Sequence, residues 1–362
     1  MGINSTARLG VLVAGLMVTA SGQAAAQPQA LGRAAIEAVA QVATSSDEFD
    51  DPFVVLDLVT TVRVTDGLDV IVRPYARRLP GGDWDALLYQ AQVRYQPADG
   101  VRIDAGIITS PIGLGTLELR PDLNPLVGYP FYYFARLPGF DEYSNQLQIL
   151  SGGYPLGAVL SLSGTRWDFR TGVTDSTPAR YRNIFGDGPN AMAQVMAGGG
   201  VTPWIGFRVG GAIAKGKYRS ASDSDYYGVT GYSLTDASAL VMNVEAEWSY
   251  RYTKITGEWV RDRFDRTGDA AIARAFYVQA AQTLTPRTFA AARYTWASTP
   301  LAPLAALDGE GRVTRAVAEV TGGYRLRPDL TLKVGYEGER RFLNADWSHA
   351  AVASVVWAHR WF

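Results

Sequence analysis

The chain has 362 residues, with 34 Lys and Arg residues against 35 Asp and Glu residues, and it contains no cysteine. This near-neutral balance excludes the strongly basic footprint of a nucleic-acid-binding protein, so no nucleic-acid partner is expected. The absence of cysteine excludes disulfide and thiol chemistry, and no pattern predicts a cofactor or a metal site.

The first 26 residues predict a secretory signal peptide. Arg8 is the single charge ahead of an uncharged stretch from Leu9 to Ala20, and Ala24-Ala25-Ala26 forms a small-residue cleavage site before Gln27. The apolar part is too short for a transmembrane helix, which needs about 20 residues. We therefore expect an exported protein from which residues 1–26 are removed.

Residues 27–52 form an N-terminal segment with two interpretations. Ile36 to Ala43 is compatible with a first β-strand, and equally with a short periplasmic helix. The choice leaves the total number of strands open at 14, 16 or 18, and the strand interpretation gives 16. Phe53 begins the first convincing strand, so residues 53–362 are predicted to form the main domain.

Beyond residue 52 the sequence repeatedly alternates apolar and polar residues. Between residues 86 and 96, one predicted face carries the apolar set Leu87, Tyr89, Ala91, Val93 and Tyr95, and the other carries Leu88, Gln90, Gln92, Arg94 and Gln96. The same alternation recurs at 314–326 and at 330–337. A period of two indicates a β-strand with one apolar and one polar side.

Fifteen segments show this strand character. They are 53–65, 68–78, 86–96, 101–108, 156–164, 167–174, 191–201, 204–215, 239–250, 252–263, 271–284, 288–298, 314–326, 330–337 and 350–362. The connections between them alternate between tight turns and long loops, as in outer-membrane barrels. A soluble sandwich also alternates, but this many strands exceed what that class usually builds.

The signal peptide, the alternating strands, the long internal loop and the terminal Phe362 together resemble a Gram-negative outer-membrane porin, of general-porin or phosphate-selective-porin-like architecture. The resemblance implies an all-β, transmembrane antiparallel barrel of about 16 strands around a water-filled lumen in the cell outer membrane. It also implies contacts with outer-membrane lipid and lipopolysaccharide, and recognition of Phe362 by the barrel assembly machinery. Similar porins are commonly trimeric, which leaves a homotrimer open.

Charged residues are predicted to line the lumen. The first half contributes the basic set Arg63, Arg73, Arg77, Arg94, Arg102, Arg170 and Arg208. The second half contributes Glu245, Glu247, Glu258, Glu319, Glu337 and Glu339, together with Lys254, Arg293, Arg315, Arg325 and Lys333. Opposed charges would create a transverse field that favours small polar solutes. The alternative is that these groups pair with one another and hydrate the lumen.

Thr109 to Ser144 is the longest segment without strand character, and it contains five prolines. A loop of this length is usually functional or disordered, and its aromatic residues argue against disorder. In position it resembles the inward-folding constriction loop of general porins. On that resemblance Glu118, Asp122, Asp141 and Glu142 would oppose Arg73, Arg77, Arg94 and Arg102. The aromatic residues Tyr129, Phe131, Tyr132, Tyr133 and Phe134 would stack on solutes or pin the loop to the wall, and pinning is favoured.

The sequence therefore predicts a porin for the passive diffusion of small hydrophilic solutes. The alternatives are a channel selective for sugars or anions, and a structural or adhesive surface barrel. We predict no enzymatic activity, because Asp346, Ser348 and His349 are too close in sequence to converge as a triad.

Overall fold

The computed structural model describes residues 34–46, 51–114, 120–129, 131, 154–175, 193–219, 237–265, 270–300, 312–341 and 345–361. These residues form sixteen β-strands and no α-helix. In the same ranges there is no helix with the length and apolar character needed to cross a bilayer.

The sixteen strands lie in one sheet. They are β1 (Ala34–Ser45), β2 (Phe53–Thr65), β3 (Leu68–Arg78), β4 (Trp84–Ala98), β5 (Val101–Ile107), β6 (Leu156–Ser163), β7 (Trp167–Thr174), β8 (Gln194–Trp204), β9 (Phe207–Arg219), β10 (Ala237–Tyr250), β11 (Thr253–Phe264), β12 (Ala271–Thr283), β13 (Thr288–Pro300), β14 (Arg312–Arg327), β15 (Leu330–Arg340) and β16 (Ser348–Trp361). Each strand pairs with the next along the chain, and β16 pairs antiparallel with β1, so the sheet closes into a barrel.

The predicted fold class is confirmed, and β1 settles the number of strands. Ala34–Ser45 pairs with β2 on one edge and with β16 on the other, so its backbone groups are satisfied on both sides. The interpretation of residues 36–43 as a short helix is therefore wrong, and so are counts of 14 or 18 strands. The apolar–polar alternation of residues 36–43 is too weak to predict a strand by itself. The pairing of this segment with both β2 and β16 is what identifies it as the sixteenth strand.

Tight turns occupy one rim, which we call the short-turn end. Gly67, Gly100 and Gly206 adopt positive φ in three of these turns. A Cβ added at Gly100 would collide with the carbonyl oxygen of Ser163, so this turn needs glycine for space as well as for backbone conformation. The opposite rim, the long-loop end, carries the longer connections.

The outer surface of the barrel is an apolar band. Val278, Val320 and Val334 lie near its middle and are 51%, 56% and 65% exposed. Tyr250 and Tyr252 lie at the short-turn end, where aromatic side chains form the interfacial girdle of outer-membrane barrels.

Two clusters of buried apolar side chains lie on the inner surface of the barrel. One apolar cluster joins the inner faces of β8 to β14 to Ile112 and Phe131, which belong to the connection between β5 and β6. A second cluster gathers Val55, Tyr75 and Leu87 with other residues beside Tyr154. The packed core therefore lies inside the barrel and depends on a segment that enters the lumen.

The predicted faces of β4 are partly wrong because of a β-bulge. Arg73 of β3 pairs with Gln90, but Pro74 pairs with Leu88, which leaves Tyr89 as an extra residue on β4. Before the bulge, Leu87 faces inward and Leu88 outward, and Tyr89 is itself buried in the lumen at 6% exposure. After the bulge, the predicted alternation holds.

Candidate functional site: the lumen and its inserted segment

The connection between β5 and β6 enters the barrel and reaches the far wall. We call residues 108–114, 120–129 and 131 of this connection the inserted segment. Ile108 and Ile112 are 2% and 3% exposed. The backbone N–H of Leu114 donates to Oε2 of Glu258 at 3.0 Å, and Glu258 lies on β11, six strands away from β5 around the wall.

Lys333 of β15 is the strongest anchor of the inserted segment. Its Nζ donates to the carbonyl oxygens of Pro121, Asn124 and Leu126 at 2.8, 2.5 and 3.2 Å. These three bonds use all the donors of the ammonium group, and Lys333 is only 3% exposed. A lysine that was predicted to line the pore therefore holds a loop in place.

Arg120 ties the segment to β1. It donates to Glu37 on the wall at 2.7 Å and to Asp122 within the segment at 2.8 Å. Burial alone lowers the pKa of Arg120, but hydrogen bonds and charge from Asp122 and Glu37 outweigh it, so the pKa lies above its usual value. Arg120 is therefore a permanently charged bridge between the segment and the wall.

The aromatic end of the inserted segment also contacts the wall. The hydroxyl of Tyr129 donates to Gln41 of β1 at 3.0 Å. Burial raises the pKa of Tyr129 well above its usual value, so the hydroxyl stays protonated. Phe131 lies 4.6 Å below the guanidinium of Arg315 on β14.

Gly128 brings the segment backbone against two carboxylates of the wall. A Cβ at this position would collide with Oε1 of Glu319 and come within 3.4 Å of Oε2 of Glu337. Glu319 cannot retreat easily, because Arg293 holds it at 2.6 Å. Only glycine fits at this contact, so the sequence fixes how closely the segment approaches β14 and β15.

The predicted arginines of β3 to β5 each pair with a carboxylate of the wall. Arg73 binds Asp57 at 2.6 Å and donates to the hydroxyl of Tyr154 at 2.8 Å. Both members of this ion pair are at most 5% exposed, so Arg73 is a buried structural group. Tyr89 stacks between Tyr75 and Tyr154, with ring centroids 4.0 and 4.3 Å apart.

The other three arginines keep access to water. Arg77 pairs with Asp85 at 3.4 Å, while Arg94 and Arg102 share Asp104 at 2.8 and 2.9 Å. The side chains of Arg94 and Arg102 are 31% and 44% exposed. Because two guanidinium groups share one carboxylate, this part of the lumen carries a net positive charge.

Several other inner charges form ion pairs between strands. Arg170 and Arg208 both bind Glu245, at 3.0 and 2.8 Å, and Glu245 is fully buried. Further pairs on this inner wall are Lys254 with Glu247 and Arg315 with Glu339, each at 2.7 Å. Arginines from the first half of the chain, on β7 and β9, therefore form ion pairs with a carboxylate from the second half, on β10.

A cavity of 540 Å³ lies between the inserted segment and the inner wall at the short-turn end. Asp122, Lys254, Arg325 and Lys333 contribute charged groups to its lining. Turn residues such as Asp329 also line the cavity, so it extends to the short-turn end of the barrel. Its volume is large enough for a small polar solute.

The structure places some of the predicted site residues but not all of them. Asp122 pairs with Arg120 of its own segment rather than with any of the four predicted arginines. The predicted residues Glu118, Tyr132, Tyr133, Phe134, Asp141 and Glu142, together with residues 1–26 and Phe362, lie outside the described residues.

Sequence reasoning missed several lumen groups. Asp57 and Asp104 complete the arginine pairs, and both occupy inward positions of alternating strands, so the period of two could have identified them. Tyr89 could not have been found in this way, because the bulge reverses its face.

Comparisons with known proteins agree with this architecture. The anion-selective porin from Comamonas acidovorans superposes with a TM-score of 0.59 at 8% identity, covering 91% of this chain and 99% of that one. The fold is that of an outer-membrane porin. Salmonella typhi OmpF, in a complex with daunomycin, gives a TM-score of 0.56 at 13% identity and covers 90% of this chain and 97% of its own.

A third structure, in-vitro folded OmpT, an outer membrane protein of Vibrio cholerae, gives a TM-score of 0.55 at 10% identity, with 91% of this chain and 96% of that chain covered. No protein-family model matches the sequence, and the comparison with curated proteins gives no match either. The similarity is one of fold, carried by strand number and closure.

Proposed function

We propose that this protein is a porin of the outer membrane, through which small hydrophilic solutes diffuse passively. The observation that carries the proposal is the inserted segment, which a closed barrel with a charged inner wall holds across its lumen through Lys333. A barrel of this strand number is too wide for the wall side chains alone to fill it, so it leaves room for water beside the inserted segment. A segment fixed inside it narrows the path without needing to move.

Size exclusion and charge would together select the solutes. The exposed guanidinium groups of Arg94 and Arg102 would keep the wall wet, because they still hydrogen-bond to water. The cavity at the short-turn end would be the periplasmic vestibule of the path. The proposal includes no enzymatic role, and His349 hydrogen-bonds to the hydroxyl of Tyr336 on the outer face.

A preference for anions is the second candidate, and one specific observation favours it. Arg94 and Arg102 share Asp104, so they offer a net positive charge to passing solutes. Arg102 is 44% exposed and therefore accessible. A preference for sugars has less support, since Tyr75, Tyr89 and Tyr154 stack on one another and are buried.

Conductance and flux measurements test the proposal. The purified protein in planar bilayers should give stepwise open channels, and proteoliposomes should admit uncharged solutes at rates that fall with solute size and do not saturate. If the flux of one solute class saturates with concentration, the protein is a selective channel and not a general diffusion pore. Bilayers that stay closed, with protein shown to be inserted and folded, would refute the channel and favour a structural surface barrel.

A further inference from the structure

The outer face of the barrel has an uneven distribution of charge. Every Asp and Glu within the described strands faces the lumen. Basic residues, in contrast, also occupy outward positions, and five of them lie near the long-loop end of β9, β11 and β12. This basic patch consists of Lys215, Lys217, Arg261, Arg263 and Arg274.

The alternation of burial establishes that the patch faces outward. Arg261 lies between Val260 and Asp262, both fully buried on the inner side. Arg274 is exposed and lies between two alanines that are likewise 0% exposed. In a strand, neighbours point to opposite faces, so both guanidinium groups project from the outer wall.

Arg261 and Arg274 stand directly opposite each other on β11 and β12. Directly opposed side chains have Cβ atoms about 5 Å apart, and like charges at that distance repel. Their outward neighbours on the flanking strands are Met242 and Ser298, which carry no charge. Among the described residues, a nearby carboxylate, that of Asp265, pairs with Arg263 at 3.4 Å. An anion from outside the chain would relieve this repulsion.

The level of the patch indicates where that anion comes from. Trp259, Phe276 and Trp296 pair across β11, β12 and β13, one outward position closer to the short-turn end than the arginines. Aromatic rows of this kind mark the edge of the apolar band. Arg261 is nine residues beyond Tyr252, which corresponds to about 23 Å of height for a strand tilted by about 40°. The apolar band of such barrels is about 25 Å tall, so the guanidinium groups reach the head-group layer.

We propose that the basic patch binds the phosphate groups of an outer-leaflet glycolipid of the lipopolysaccharide type. Two adjacent guanidinium groups match phosphate oxygens in charge and geometry. Basic clusters at the membrane interface recognise anionic head groups, and here the aromatic row below would contact the acyl chains. The inference rests on the proposed function only in placing the long-loop end at the outer leaflet.

The experiment compares lipid binding by the folded full-length protein and three variants. The probe is lipid A in detergent, counted by native mass spectrometry, with dephosphorylated lipid A as the reference ligand. The wild type should prefer the phosphorylated lipid. The double variant Arg261→Gln/Arg274→Gln should bind it about thirtyfold more weakly, since each basic residue near the membrane surface contributes about fivefold to binding. Arg261→Lys/Arg274→Lys should retain most of the binding.

The matched control is Arg166→Gln/Arg287→Gln, which removes the same charge from exposed turns at the short-turn end and should bind like the wild type. If all variants bind equally, or if both lipids bind the wild type equally, the inference is wrong. Should the double variant misfold, binding by the wild type must still weaken as salt rises, and salt-independent binding overturns the inference. Conductance of the same preparations reports on the channel separately, so a lipid result cannot be mistaken for failure of the pore.

Discussion

Replacing Lys333 by methionine should release the middle of the inserted segment. The ammonium donates three hydrogen bonds, and each contributes about 1 kcal/mol net. Losing all three costs about 3 kcal/mol, which shifts the equilibrium between attached and detached forms by about 150-fold. Methionine keeps the length of the side chain, so the wall itself should remain packed.

Single-channel recording in planar bilayers measures the consequence. Lys333→Met should give a larger and noisier open-state conductance, because Pro121 to Leu126 would no longer be fixed to the wall. The matched control is Lys254→Met, which removes the same charge from the lining of the same cavity but breaks a pair with Glu247 instead of an anchor. Identical conductance in the two variants would refute the idea that Lys333 sets the width of the path.

Three further changes test the rest of the lumen. Arg94→Glu/Arg102→Glu should move the reversal potential in a salt gradient toward cation selectivity, because it replaces a net positive region by a negative one. Gly128→Val should raise conductance, since its side chain collides with Glu319 and pushes the segment off the wall. Arg73→Met should lower stability toward urea by about 3–5 kcal/mol, because it leaves the buried carboxylate of Asp57 without its partner.

Each of these three predictions has a control variant with which it is compared. Arg166→Glu changes the charge of a turn outside the lumen, and an equal shift in reversal potential would show that the effect is not local. Gly322→Ala adds a methyl group on the outer face where there is room, and it should leave conductance unchanged. Arg63→Met breaks an exposed pair and should cost at most about 1 kcal/mol, so a similar loss in both variants would argue against a buried-charge effect.

The sequence predicted the barrel better than it predicted the site. Alternation places Arg293 and Glu319 on the inner face because the side-chain period of a strand is fixed. It does not contain the register between strands, so their 2.6 Å pairing was not predictable. The anchoring role of Lys333 was even less accessible, because its acceptors lie more than two hundred residues earlier in the chain.

The bulge in β4 illustrates a different limit. Leu87 and Tyr89 read as members of an apolar, lipid-facing row, and a regular strand would have placed them there. One inserted residue reverses the phase and turns both into the lumen. Tyr89 then stacks with its neighbours beside Arg73. The sequence therefore predicts the strand and its two-residue period correctly, but it assigns these two side chains to the wrong face of the sheet.

The seam between β1 and β16 constrains how the protein can be made. Ten consecutive residue pairs, from Ile36 with Trp361 to Ser45 with Val352, close the ring. A nascent or prematurely terminated polypeptide lacks this partner and exposes two open edges that readily recruit other strands. Productive folding must therefore wait until translation has finished, and the export route has to keep the whole polypeptide unfolded and unaggregated until then.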